Sequence, residues 1–162
     1  MQQLNQLYFA FVQPHIDYGL SIWGNTSKQN LSKVQRFQNR ASRIVTNNFD
    51  LETSSAVIIR QLKWQTVEER RDYLLCLLIY KCVNAQAPTY LSDSLVFVED
   101  THSRNTRQVA ANLLHVPKAN TNYYKGSLAV AGAKSWNNLP PAVRNAVSVS
   151  CFKYQYKHFN CN

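Results

Sequence analysis

The hydrophobic and polar positions along the chain follow a helical pattern, and the stretch "LSKVQRFQNRASRIVT", Leu31 to Thr46, shows it best. At about 100° per residue, its apolar and basic residues fall on opposite arcs of a helical wheel. Thr26 or Ser27 is placed to cap the helix. The apolar arc, which we expect to face a core, comprises Leu31, Val34, Phe37, Gln38, Ala41, Ile44 and Val45. The basic arc comprises Lys33, Arg36, Arg40 and Arg43.

A second long helix is predicted in "LKWQTVEERRDYLLCLLIYKCVNAQAP", where Thr66 and Glu69 have the spacing of a capping box. From Tyr73 onwards this segment is apolar nearly all round, which predicts a central, buried helix. Pro88 is expected to stop it. A short helix is predicted in the "TYLSDSLV" that follows.

Shorter helices complete a mainly α prediction with little or no β structure. Only four glycines are present, which argues against an all-β fold rich in tight turns. Leu4 to Val12 is predicted to be a helix that Pro14 should end or kink, and "HIDYGLSIWGN" is a second helical stretch or a tight extended one, with the helix favoured. The other predicted segments are a helix capped by Thr53 or Ser54, Ser127 to Asn137, a turn beginning near Pro141, and a last helix capped by Ser148 or Ser150. Leu113 to Val116 is predicted to be extended.

The domain organisation follows from composition. Residues 1–98 are predicted to form a helical domain, "EDTHSRNTRQ" at 99–108 a polar linker, and residues 109–162 a smaller, basic helical lobe. Charge is unevenly distributed between them. Residues 1–100 contain ten Lys and Arg against nine acids, whereas residues 101–162 contain eight Lys and Arg and no acid. Such an imbalance favours a polyanionic partner over an acidic neighbouring domain or a basic surface that only aids solubility.

No pattern of an active site is present. Metalloprotease, nucleophile-elbow and phosphate-loop motifs are absent, and the five aspartates are scattered over different predicted elements. The four cysteines lack the spacing of a zinc or redox site. We therefore expect no catalysis, metal or cofactor. No run of about 20 apolar residues and no signal peptide is found, so no membrane is expected, and the predicted location is intracellular, nuclear or cytoplasmic.

Basic residues interleaved with aromatic ones are candidates for nucleic-acid contacts, because bases stack on aromatic rings beside phosphate-binding cations. Tyr123 and Tyr124 lie next to Lys125, and Tyr154 and Tyr156 alternate with Lys153 and Lys157. For Tyr156, core packing beside Phe152 and Phe159 is the favoured interpretation. The candidate nucleic-acid-binding residues are Lys33, Arg36, Arg40, Arg43, Arg104, Arg107, Lys125, Lys153 and Lys157.

Several stretches together resemble the C-terminal region of the reverse transcriptase of non-LTR, LINE-type, jockey-like retrotransposons. They are "LYFAFVQPHIDYGLSIWGN", the Leu31 to Thr46 helix, "LKWQTVEERRDYLLCLLIYKCVNAQAPTYLSD" and "LLHVPKANTNYYKGSLAVAGAKSWNNLPPAVRNAVSVSCFKYQYKHF". The blocks cover most of the chain in the family's order and end in W-N-x-L-P followed by S-x-x-x-F-K.

The resemblance implies a thumb-like helical bundle that cradles the template–primer duplex, either RNA or an RNA–DNA hybrid, followed by a C-terminal segment. The polymerase palm, which carries the catalytic aspartates in that family, has no counterpart here, so no catalytic residue is carried over. The palm is then an expected partner, and Met1 resembles an internal methionine. Two alternatives stay open: a helical interaction module adopted by the host, and a translated relic without function.

Overall fold

The computed structural model describes residues 2–50, 52–101 and 112–159, and these residues are mainly helical. The elements are α1 (Gln2–Leu7), the π-helical turn π1 (Tyr8–Val12), α2 (Gln13–Asp17), α3 (Leu20–Trp23), α4 (Lys28–Thr46), α5 (Ser55–Gln61), α6 (Val67–Val83), α7 (Thr89–Ser92), α8 (Val98–Thr101), α9 (Asn122–Lys125), π2 (Leu128–Gly132), α10 (Ala133–Asn137), α11 (Pro141–Arg144) and α12 (Val149–Phe159). No strand occurs in the described ranges, where a single antiparallel bridge joins Phe97 to Leu114. The predicted mainly α fold is confirmed.

Local capping chemistry sets the helix ends close to where the sequence predicts them. Ser27 accepts a hydrogen bond from the Asn30 N–H and begins α4. At α6, the Thr66 N–H donates to Glu69 Oε2 at 2.8 Å while the Glu69 N–H donates to Thr66 Oγ1 at 3.2 Å. This reciprocal pair is the predicted capping box. Ser148 Oγ accepts from the Cys151 N–H and so caps α12.

The N-terminal helical segment continues past Pro14. A proline ring clashes with the carbonyl four residues earlier and removes one helical hydrogen bond. The chain accommodates Pro14 by widening into π1, where the Gln13 N–H donates to the Tyr8 carbonyl, and α2 then continues to Asp17. The sequence left open whether the helix ends or kinks at this point, and the structure shows that the helix does not end there but has a π-helical turn just before Pro14.

The chain divides into two compact units between Asp72 and Tyr73, inside α6. The domain prediction placed the division at residues 99–108 instead. Of that predicted linker, residues 99–101 belong to α8 and residues 102–108 lie outside the described residues. The first unit contains the polar, N-terminal part of α6, and the second unit contains its apolar part.

The first unit has a small core built on a stacked aromatic pair. The rings of Tyr8 and Trp64 are nearly parallel, with centroids 3.7 Å apart, and they pack with Val45 and Ile59. Trp64 Nε1 also donates to Asn5 Oδ1 at 2.8 Å, so the indole N–H is satisfied. This core joins the N-terminal helix to α4 and α5.

The second unit has a larger core centred on the apolar half of α6, as predicted. Its buried members include Leu75, Ile79 and Tyr80 of α6, packed with Trp136 and Phe152. The Tyr80 hydroxyl donates to the Ala146 carbonyl at 2.8 Å. A Cβ at Gly132 would meet Ile79 Cδ1 at 2.6 Å, so a larger residue there would require the Ile79 side chain to move.

A candidate nucleic-acid interface on helix α4

Three of the four predicted basic residues of α4 form an exposed surface. Lys33, Arg36 and Arg40 are all exposed, and α4 contains no acidic residue. We call these three residues the basic face. Lys33 and Arg40 lie two turns apart, a separation of roughly 10 Å at 1.5 Å rise per residue. That spacing allows the basic face to contact more than one phosphate of a nucleic-acid backbone.

The fourth basic residue, Arg43, is engaged within the protein. Its Nη1 donates to the Asp50 carbonyl at 2.6 Å, and its Nη2 donates to the Thr53 carbonyl at 2.7 Å and to Ser55 Oγ at 3.4 Å. The guanidinium therefore holds the loop between α4 and α5. Its donors are largely used by these backbone acceptors, which separates Arg43 from the basic face.

Two residues assigned to the core arc of α4 are exposed, and this part of the prediction is wrong. Phe37 is 55% exposed and Ile44 is 56% exposed. On the helical wheel both lie at the edge of the apolar arc, next to Arg40. The buried side of α4 is centred instead on Gln38 and Ser42, which are 2% and 0% exposed.

A hydrogen-bond network of glutamines fixes the buried side of α4. Gln38 Nε2 donates to the Tyr8 hydroxyl at 3.2 Å and to the Gln65 carbonyl at 2.9 Å. Gln35 Nε2 donates to Gln38 Oε1, and Gln35 Oε1 accepts the N–H of Val67, the first residue of α6. Because these hydrogen bonds hold one side of α4 against its neighbours, they fix the orientation of the helix about its axis. That orientation determines which of its side chains are exposed to solvent.

The charges of the basic face are not neutralised by neighbouring carboxylates within the described part of the chain. The ion pairs recorded there involve Arg70 and Arg71, of which Arg70 binds Asp17 through two hydrogen bonds of 2.6 and 2.9 Å. Asp50, near the end of α4, is held in the charged form. Hydrogen bonds from the Thr53 hydroxyl and then from the Glu52 N–H lower the pKa of its carboxyl, with a smaller contribution from Arg43.

The other predicted basic residues lie on separate elements of the second unit. Lys125 is the last residue of α9, and Lys153 and Lys157 are exposed one turn apart on α12. Arg104 and Arg107 lie outside the described residues. Among the described residues, α4 carries three of the predicted exposed basic residues, and α12 carries two.

The aromatic residues near these lysines divide into exposed and packed side chains. Tyr123 is 96% exposed and Tyr154 is 67% exposed, so both rings are accessible to a ligand. Tyr156 is 5% exposed and packs near Phe152, which confirms the favoured packing interpretation. Phe159, expected on the same buried face, is 45% exposed.

In the described ranges no three His, Cys, Asp or Glu side chains lie close enough to hold a metal ion. None of the helices there is both long and apolar enough to cross a bilayer.

Sequence reasoning did not identify Arg144, a buried arginine of α11. The sequence signal for Arg144 is its position directly after the core residue Val143, in the short proline-initiated helix of "LPPAVR".

Comparison of the chain with family models, with curated proteins and with solved structures finds no match.

Proposed function

We propose that this chain is the non-catalytic, C-terminal part of a retrotransposon RNA-directed DNA polymerase and that it binds template–primer nucleic acid through α4. The observation that carries the proposal is the basic face itself: Lys33, Arg36 and Arg40 are exposed on a helix without a single acid. Clustered Lys and Arg on one helix face are the electrostatic footprint of phosphate binding. The resemblance of the chain to the reverse transcriptase thumb region supports the same function.

The side chains beside the basic face support a duplex as the ligand. Phe37 and Ile44 are exposed next to Arg40, so apolar and cationic groups reach the same surface. An A-form duplex presents sugars and base edges in a shallow minor groove between two lines of phosphates, so the cations can contact the phosphates while the apolar side chains lie against the sugars. Arg43 is assigned a structural role here, because its guanidinium already binds the Asp50 and Thr53 carbonyls.

Exposed apolar residues of the first unit support contact with the polymerase palm. Leu4, Leu7 and Phe11 are 43%, 50% and 67% exposed and follow one another at helical spacing along α1 and π1. An exposed apolar stripe of this kind is typical of a protein–protein contact. Replacing Leu7 and Phe11 with Gln should reduce self-association of the isolated chain, as measured by light scattering.

The direct test is binding of a short RNA–DNA hybrid, followed by fluorescence anisotropy. Replacing Lys33, Arg36 and Arg40 with Gln should weaken binding on the order of 10- to 100-fold at physiological salt, because three phosphate contacts are lost. Circular dichroism should show an unchanged fold. Unchanged affinity would contradict the proposal.

A matched variant controls for net charge. Arg60, Lys118 and Lys134 are exposed and lie outside α4. Replacing these three with Gln removes the same charge and should change affinity by a few-fold at most. The host-adopted interaction module predicts a different result: polyglutamate, an acidic polypeptide, should then bind as tightly as the hybrid and displace it.

A further inference from the structure

The guanidinium of Arg144 is buried in the second unit with little to neutralise it. The residue is 8% exposed. Its Nη1 donates to the Asn137 carbonyl at 3.2 Å. Its Nε is buried and has no hydrogen-bond acceptor among the described residues.

The surrounding fold fixes Arg144 in this place. Pro141 begins α11, and Val143 packs into the core formed with Trp136 and Leu139. Arg144 follows Val143 on α11 and is itself buried. The Asn137 carbonyl, which belongs to the last residue of α10, holds one end of the guanidinium.

The chain provides no carboxylate side chain to pair with Arg144. No Asp or Glu of the described residues lies within ion-pair distance of it. Residues 1, 51, 102–111 and 160–162, which complete the chain, contain no Asp or Glu. Burial alone lowers the pKa of the Arg144 guanidinium below its ordinary value. A buried cation that lacks a partner is strongly unfavourable, so an external anion would stabilise it.

Arg144 lines a cavity of about 380 Å³ that is open to solvent. Its lining includes three asparagines, Asn84, Asn112 and Asn145, together with Trp136. Glu99 is the one acid on the lining, and it forms no ion pair with Arg144. The cavity thus has the size of a small-molecule site, and Arg144 is the one cation among its described lining residues.

We infer that this cavity is a binding site for a small molecule with a carboxylate group, which Arg144 receives. A guanidinium presents parallel N–H donors that match the two oxygens of a carboxylate. A singly charged group suits a single guanidinium, and Glu99 on the same wall disfavours a doubly charged phosphate. The amides of Asn84, Asn112 and Asn145 can hydrogen-bond the remainder of the ligand. This site is independent of the basic face of α4.

The first test uses the intact chain and sodium acetate as the carboxylate probe. The arginine Nε–Hε signals are recorded by NMR while acetate replaces chloride at constant ionic strength. The Arg144 signal, identified by its absence in R144K, should shift and reach saturation, while the signal of exposed Arg60 should not. A shift that stays linear in acetate, or that is equal for the two arginines, would overturn the proposal.

The second test measures thermal unfolding under the same exchange of anions. Acetate should raise the Tm of the wild-type chain and of R60M to a plateau and should leave the Tm of R144M unchanged. An equal rise in R144M would overturn the site. Inorganic phosphate at pH 7.5 should have the weaker effect, and phosphate acting at lower concentration than acetate would overturn the assignment to a carboxylate. If R144M does not fold, the NMR titration of the wild-type chain still decides.

Discussion

The guanidinium Nη2 of Arg43 donates a hydrogen bond to the backbone carbonyl of Thr53 at 2.7 Å, and this contact divides the basic arc of α4 into two parts. Arg43 belongs to the fold, because it holds the chain just before Ser54, the cap of α5. Lys33, Arg36 and Arg40 remain on the surface. Neighbouring positions on one helix thus have different roles, which stability and binding measurements can separate.

The same substitution should destabilise the chain at Arg43 and have little effect at Arg40. Arg43→Gln should lower the free energy of unfolding by about 2 kcal/mol, since it removes hydrogen bonds from a charged donor to the Asp50 and Thr53 carbonyls. Arg40→Gln should change it by no more than about 0.5 kcal/mol, as expected for an exposed residue. Urea denaturation followed by circular dichroism measures both, and a larger loss for Arg40→Gln would contradict the division.

Leu31 and Phe37 provide a second comparison on α4. Leu31 is 7% exposed, so Leu31→Ala should cost about 2 to 5 kcal/mol through lost burial and a residual cavity. Phe37→Ala should cost less than about 0.5 kcal/mol, because Phe37 is 55% exposed and Ala favours a helix. Urea denaturation measures both variants, and equal losses of unfolding free energy would show that Phe37 is buried in the core.

The capping box of α6 should make a measurable contribution to stability. Thr66→Ala removes the hydroxyl that accepts the Glu69 N–H and should cost about 1 kcal/mol. Thr66→Ser keeps a hydroxyl at the same place and should retain most of the stability. If Thr66→Ala and Thr66→Ser had the same midpoint of urea denaturation, the cap would contribute nothing to the stability of the folded chain.

Tyr8 should make stability depend on pH in the alkaline range. Burial raises the pKa of its hydroxyl above the ordinary value of 10.0. The folded state therefore holds this proton more tightly, and its contribution to stability is complete below pH 10 and declines as pH rises through the folded pKa. Between pH 9 and 11, the wild-type chain should lose more stability than Tyr8→Phe. Tyr123→Phe is the control because Tyr123 is 96% exposed, and it should lose as much as wild type.

The predictions that succeeded rest on local chemistry. Ser27, Thr66 and Ser148 cap their helices through hydrogen bonds to backbone groups three residues away, so the sequence itself contains both partners. The burial of the apolar part of α6 could also be predicted from local sequence, because a helix that is apolar nearly all round is stable only when it is buried.

The predictions that failed or were incomplete depend on distant residues. Phe37 and Ile44 are exposed because hydrogen bonds from Gln38 to the Tyr8 hydroxyl and the Gln65 carbonyl turn the Gln38 side of α4 toward the core. The structural role of Arg43 depends on carbonyls of the next loop, and the burial of Arg144 depends on Asn137. No periodicity along the chain specifies these contacts, because they arise only after the helices pack.

The salt dependence of RNA–DNA hybrid binding tests the central claim most directly. Each lost phosphate contact should reduce the slope of log K against log salt concentration by about 0.7 to 0.9. The variant with Gln at positions 33, 36 and 40 should therefore have a slope smaller than wild type by about 2 to 3, and Arg43→Gln should have the wild-type slope. Equal slopes for wild type and the triple variant would show that the basic face of α4 does not contact phosphate.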